Sequence, residues 1–122
     1  MAILIQEVVG VKYKSNRFYP TFSGVLQSIN YYPVSYMKRN EGVAYLALGF
    51  GRTIADGEKC LRISPKYPKI LPQFFSLKAT IQNSQNEFYA MNFNLNQQNN
   101  HQLNKYTLED AETDGTLKWV GS

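Results

Sequence analysis

The sequence predicts an α+β domain, an antiparallel sheet with a few short helices, and three observations carry that prediction. Short runs rich in Ile, Val, Leu and aromatic residues recur between glycine, proline and asparagine breaks, as strands do. Two Ser/Thr capping signals, Ser76 and Thr107, open short helical stretches. Successive runs lie close enough in sequence to pair as neighbours in a sheet. With 122 residues and a 43% apolar fraction the chain fills one ordinary core and no more. The expected division is a sheet core with a proline strap over 1–72, then short helices, a strand and an Asn/Gln-rich loop over 73–122.

Residues 2–9, Ala-Ile-Leu-Ile-Gln-Glu-Val-Val, read as a strand closed by Gly10. Glu7 interrupts that run, either as a solvent-facing edge carboxylate or as a charge facing a ligand cleft. Residues 10–21 alternate basic and aromatic groups and read as an exposed hairpin loop or flap. Phe22–Ile29 is a second strand, in which Gly24 marks a bulge or a close backbone approach. The loop from Asn30 to Asn40 carries Tyr31, Tyr32 and Tyr36, an aromatic surface suited to a packing lid or, less readily, to base stacking.

Val43–Leu48 and Lys59–Ser64 are the next strands, joined by a loop containing Gly49, Gly51 and Gly57. That loop is either a structural turn or a place where a ligand approaches the backbone. Pro65, Pro68 and Pro72 then hold the chain extended in a strap. A helix is expected from Leu77 toward Gln85, with Leu77 and Ile81 as its apolar stripe. Glu87–Phe93 returns to a strand, and Asn94–Asn104 has too little apolar surface to pack, so it reads as a mobile loop holding His101. Thr107 and Asp110 form a capping box for a helix over 108–114, stopped at Gly115, and Thr116–Val120 begins another strand.

The net charge of +4 is spread along the chain, so no polybasic tract points to nucleic acid or to a membrane surface. No apolar run reaches the length of about 18 residues that a spanning helix needs, and no secretory leader is evident, so a cytoplasmic protein is expected. The single cysteine, Cys60, excludes an internal disulfide framework and reads as a core residue. One histidine in a polar segment offers neither a catalytic triad nor a phosphohistidine site, and one His with one Cys makes no structural metal centre. Carboxylates suited to Mg²⁺ are Glu7, Glu41, Asp56 and Glu58. The glycine loop is not a Walker A, lacking Gly-Lys-Ser/Thr, and does not open a helix as a dinucleotide fingerprint does. Arg52 beside backbone N–H groups freed by the glycines suits phosphate oxygens, and serves equally as a plain surface arginine.

Taken together, Ile5–Val9, Phe18–Val25 with Ser28-Ile-Asn30, Gly42–Gly51 with Asp56-Gly57, and Leu61–Pro68 resemble, in order, the N-terminal nucleotide-binding domain of the phosphoenolpyruvate synthase and pyruvate phosphate dikinase family. Glu87–Ala90 and Asp114–Leu117 resemble a subgroup of the same family. The resemblance implies the C-terminal part of an ATP-grasp domain, whose antiparallel sheet covers ATP. It also implies a chain that contributes part of an ATP/Mg²⁺ site and does not catalyse alone, since the upstream nucleotide lobe, the phosphohistidine domain and the barrel domain of such a transferase are not in this sequence. By this resemblance Gly49, Gly51, Arg52 and Gly57 face the nucleotide. Arg52 stands where the family pattern has a magnesium-holding glutamate, which leaves Asp56 and Glu58 as the metal ligands. The alternative is a degenerate, non-catalytic relative that binds or assembles, with self-association through bare sheet edges.

Overall fold

A computed structural model describes residues 1–13, 17–93 and 101–116. Two antiparallel sheets form the frame. One holds four strands in the order β1 (Gly10–Tyr13), β2 (Arg17–Pro20), β6 (Glu87–Phe93) and β7 (His101–Thr107). The other holds three, β3 (Ser23–Gln27), β4 (Val43–Ala47) and β5 (Leu61–Ile63), in that order. Short helices α1 (Arg52–Ala55), α2 (Leu77–Asn83) and α3 (Leu108–Thr113) complete the chain. The α+β class and the antiparallel pairing are as the sequence predicts.

The core sits on the larger sheet. Tyr19, Phe88, Ala90 and Ala111 are buried together, with Leu48, Tyr106 and Leu108 packed around them. Ring centroids of Tyr19 and Phe88 are 5.9 Å apart, and those of Phe88 and Tyr106 are 6.1 Å apart, in the tilted geometries aromatic pairs prefer. Residues 10–13 and 17–20, read from sequence as an exposed hairpin loop or flap, do form a hairpin, but a paired one that supplies Tyr19 to this core rather than standing exposed. Arg17 anchors its end. The guanidinium bonds Asp114 at 2.5 Å and lies 4.7 Å from the centre of the Tyr106 ring. Burial alone pulls its pKa down, but the Tyr19 hydroxyl and the Asp114 carboxylate outweigh that and raise it.

Several sequence expectations are corrected. Residues 2–9 form no strand. They are exposed, and the Val9 carbonyl is bonded only to the Thr21 amide, at 3.1 Å, because β propensity makes a strand only where a neighbouring strand is present. Gly24 lies in an unbroken register with β4, so there is no bulge; a Cβ there would come 2.8 Å from Leu46 Cδ2, which leaves the close approach. Helix α2 is capped as expected, the Ser76 hydroxyl accepting from the Ala79 amide at 3.1 Å. It nevertheless buries Ala79, while Leu77 and Ile81 face solvent at 79% and 70% exposure. His101–Asn104, read as loop, belong to β7, where pairing with the apolar β6 fixes a polar sequence in a sheet. The rest of that loop, 94–100, and the strand expected over 117–120 lie outside the described residues. Among the described residues no helix is long and apolar enough to cross a membrane.

The capping box at α3 is fully formed. The Thr107 hydroxyl accepts from the Asp110 amide at 3.1 Å, and the Asp110 carboxylate accepts from the Thr107 amide at 2.9 Å. The Thr107 backbone amide first, then its side chain, hold the Asp110 carboxyl below its ordinary value of 3.8. A depressed folded-state pKa adds stability that is complete above the ordinary value and is lost as pH falls through the lowered one. Thr107→Ala is expected to cost about 1 kcal/mol in urea unfolding and to move the Asp110 titration part of the way back up, followed by carboxyl NMR. An unmoved titration would show that the box does not hold Asp110.

Candidate functional site

The glycine stretch lies where the two sheets meet. Gly49 adopts φ 75°, and a Cβ on it would come 2.5 Å from the Tyr89 carbonyl oxygen, so the close approach of β6 requires glycine there. The Phe50 amide donates to that same carbonyl at 2.9 Å, and the Ser23 hydroxyl donates to the Gly49 carbonyl at 2.6 Å. Chain from β4 is thereby stitched to β6 on one side and β3 on the other. Beyond Gly51 the chain turns into α1, contrary to the reading that this loop opens no helix. Four residues make a single turn, nucleated by the bonds from the Ile54 and Ala55 amides to the Gly51 carbonyl, both 3.1 Å.

The charged groups of the stretch gather on the Tyr89 side chain. Arg52 Cζ lies 5.3 Å from the ring centre, as does Lys105 Nζ. Arg52 also bonds Asp56 at 3.1 Å, an exposed pairing four residues apart worth roughly 0.3–0.5 kcal/mol. Glu58 accepts from Lys105 at 2.7 Å and from the Tyr89 hydroxyl at 3.4 Å. The Glu58 hydrogen bond, with Tyr89 adding, raises the Lys105 pKa against the opposing effect of desolvation. Asp56 and Glu58 are thus each engaged by a cation. Among the described residues no three His, Cys, Asp or Glu side chains gather as a metal site would need.

Gly57 and Glu58 also border a cleft of about 470 Å³ on one face of the smaller sheet. The sheet register explains its floor: Val25, Tyr45 and Arg62 are cross-strand neighbours and project from the same face. Tyr31 and Tyr32, from the loop expected to act as a lid, form the rim opposite Lys59. A buried asparagine places that rim. Asn30 accepts from the Tyr32 amide at 3.2 Å and donates to the Met37 sulfur at 3.6 Å, while its own amide reaches the Arg39 carbonyl at 2.8 Å. Arg62 donates to the Tyr32 carbonyl at 3.2 Å and lies 5.8 Å from the Tyr45 ring centre, and its Nε is shielded from solvent with no acceptor.

Gln73 closes the outer edge of β5 as a further strand would, accepting from the Arg62 amide at 2.7 Å and donating to the Cys60 carbonyl at 3.0 Å. Cys60, read from sequence as core, lines the cleft and is half-buried. Burial pushes its thiol pKa up, partly offset by Arg62. Of the residues singled out from sequence, Gly57 and Glu58 therefore border the cleft. Gly49 lies in the joint between the sheets, and Gly51, Arg52 and Asp56 follow it on or beside α1, outside the residues that line the cleft. Sequence reasoning missed Tyr45, Lys59 and Arg62; an arginine inside the apolar run Leu61–Ile63 was the available signal.

Comparison of the chain with family models, curated proteins and solved structures found no match.

Two positive-φ glycines of this stretch, Gly49 and Gly57, separate the joint from the cleft. A Cβ at Gly57, φ 70°, meets nothing within 4 Å. Gly57→Ala is expected to cost only the left-handed strain of about 1–2 kcal/mol. Gly49→Ala, which adds a collision with backbone, is expected to cost at least about 3 kcal/mol at unchanged m value in urea unfolding. Equal costs at the two positions would contradict the assignment of Gly49 to the joint.

Proposed function

We propose that this chain is a nucleotide-binding module that contributes part of an ATP site and does not catalyse alone. The observation that carries this reading is the cleft in which Tyr31, Tyr32 and Tyr45 converge with Arg62 and Lys59. Tyrosine faces suit a flat heteroaromatic base, and a guanidinium and an ammonium lining the same cleft suit phosphate oxygens. Its size lies within the range of small-molecule sites, about 300–1,000 Å³. In this reading the two antiparallel sheets are the covering part of an ATP-grasp domain, as the resemblance to the phosphoenolpyruvate synthase family implies, and its phosphohistidine and barrel domains are the partners. The nucleotide sits over Gly57 and Glu58, with Gly49, Gly51 and Arg52 in the stretch of chain that leads to them.

Magnesium enters this reading through Glu58 and Asp56. Glu58 borders the cleft, but its carboxylate is held by Lys105, and Asp56 is held by Arg52. A second reading, the non-catalytic binding or assembly module, is favoured by this same pairing: Arg52 stands at the family's glutamate position and forms an ion pair with one of the remaining metal candidates. Exposed Phe75, Leu77 and Ile81 support self-association in that case.

Calorimetric titration with ATP, with and without Mg²⁺, tests the proposal. ATP is expected to bind, Arg62→Ala to weaken it at least tenfold, and Tyr32→Ala, a substitution at an exposed rim position, to weaken it several-fold. Absence of ATP binding, or affinity unchanged in both variants, would overturn it. Binding that is indifferent to Mg²⁺ would select the non-catalytic reading.

A further inference from the structure

The unpaired segment before β1 and the free edge of β3 fit each other. In the β1–β2 ladder Gly10 faces Pro20 and Val11 faces Tyr19, and the bond from the Thr21 amide to the Val9 carbonyl, 3.1 Å, continues that register one step beyond the hairpin. The same register carried on places Glu7 opposite Ser23, Ile5 opposite Val25 and Leu4 opposite Leu26. β3 is the outer strand of its sheet, paired to β4 alone among the described residues. Both sides of the junction are bare: Ile3, Leu4 and Ile5 are 79%, 81% and 89% exposed, and Leu26 is 77% exposed.

We propose that residues 3–8 dock on β3 of the same molecule as a fourth strand of the smaller sheet. The segment has the composition of a buried strand, and an open edge beside an extended apolar segment satisfies the backbone groups of both when they pair. Alternation then divides its side chains usefully. Leu4 comes beside Leu26 on the face that carries Leu46 and Leu61, where Phe22, Leu71 and Phe74 line an apolar groove of about 430 Å³. Ile5 and Glu7 fall on the opposite face with Val25 and Tyr45, lengthening the wall of the tyrosine cleft. The hairpin becomes one ribbon crossing from the larger sheet to the smaller, and the segment acts as a strap that closes the flank of the cleft. Only this last consequence rests on the nucleotide reading; the docking itself does not.

Cross-linking without nucleotide tests it. Because Val9 and Thr21 are a bonded pair, Leu4 and Leu26 form a non-bonded pair, with Cα atoms about 4.5 Å apart, within disulfide reach. In a Cys60→Ser background, Leu4→Cys with Leu26→Cys is expected to oxidise to an internal disulfide in a monomer, at least tenfold faster than the off-register pair Ile5→Cys with Leu26→Cys. Peptide mapping and light scattering read the result. A disulfide between two molecules would assign the edge to a second copy and overturn the proposal, as would equal rates for the two pairs or no disulfide at all. Hydrogen exchange on the unsubstituted chain gives an independent reading. The Ile5 and Glu7 amides, pointing at β3, are expected to exchange at least tenfold more slowly than those of Leu4 and Gln6. Uniformly fast exchange across 3–8 would contradict docking whatever the nucleotide affinity proves to be.

Discussion

The approach of the Gly49 backbone to Tyr89 is the contact on which the rest of this structure depends. A Cβ on Gly49 would lie 2.5 Å from the Tyr89 carbonyl oxygen, so the two backbones can come this close only with glycine at that position. The resulting bond from Phe50 to Tyr89 and that from Ser23 to Gly49 tie chain from three strands of two sheets at a single peptide unit, Gly49–Phe50. Gln85 adds a second tie nearby, accepting from the Leu48 amide at 2.8 Å and donating to the Leu48 and Glu87 carbonyls at 3.0 and 2.8 Å. Neither sheet alone has much core: the larger has one aromatic cluster, and the smaller exposes most of β3. The joint therefore sets where the smaller sheet stands, and with it the cleft.

Tyr89 joins structure and charge in the same place. Its carbonyl holds the loop, while its ring and hydroxyl gather Arg52, Lys105 and Glu58. These are exposed or half-exposed groups, and each pairing contributes little energy by itself. Their effect is on geometry: they direct α1 and the turn at Gly57, so that the following residues Lys59, Cys60 and Arg62 run along the cleft. The rim opposite is fixed from within by Asn30, whose amide group is buried and bonded on both its oxygen and its nitrogen. A polar residue at full burial organises a loop because leaving any of its groups unpaired would cost about 1–3 kcal/mol.

How much of this was legible in the sequence follows from what each feature depends on. The capping box at Thr107, the cap at Ser76 and strands β3 to β6 are set by local residue patterns, and they stand where those patterns place them. The glycine stretch was recognisable as special, but whether its glycines serve a turn, a joint or a ligand depends on a strand some forty residues later in the chain. Residues 10–13 and 17–20 read as an exposed hairpin loop or flap because their basic and aromatic alternation does not reveal that Tyr19 points inward onto Phe88. Leu77 and Ile81 suggested a buried stripe that tertiary packing did not use, since α2 packs through Ala79. The cleft was the least legible feature, being assembled from Tyr31, Tyr45 and Arg62 on separate elements brought together by sheet register. Gln73 and Gln85 act as backbone substitutes, a use that residue identity does not announce.

The joint at Gly49 is tested most directly by native-state hydrogen exchange at the Phe50 amide. If this bond ties the sheets, Phe50 exchanges only when the domain unfolds, with the same protection as central amides of β6 and the same dependence on urea. An amide at Phe50 that exchanges through local opening, orders of magnitude faster than β6 and insensitive to urea, would show that the sheets are held together elsewhere.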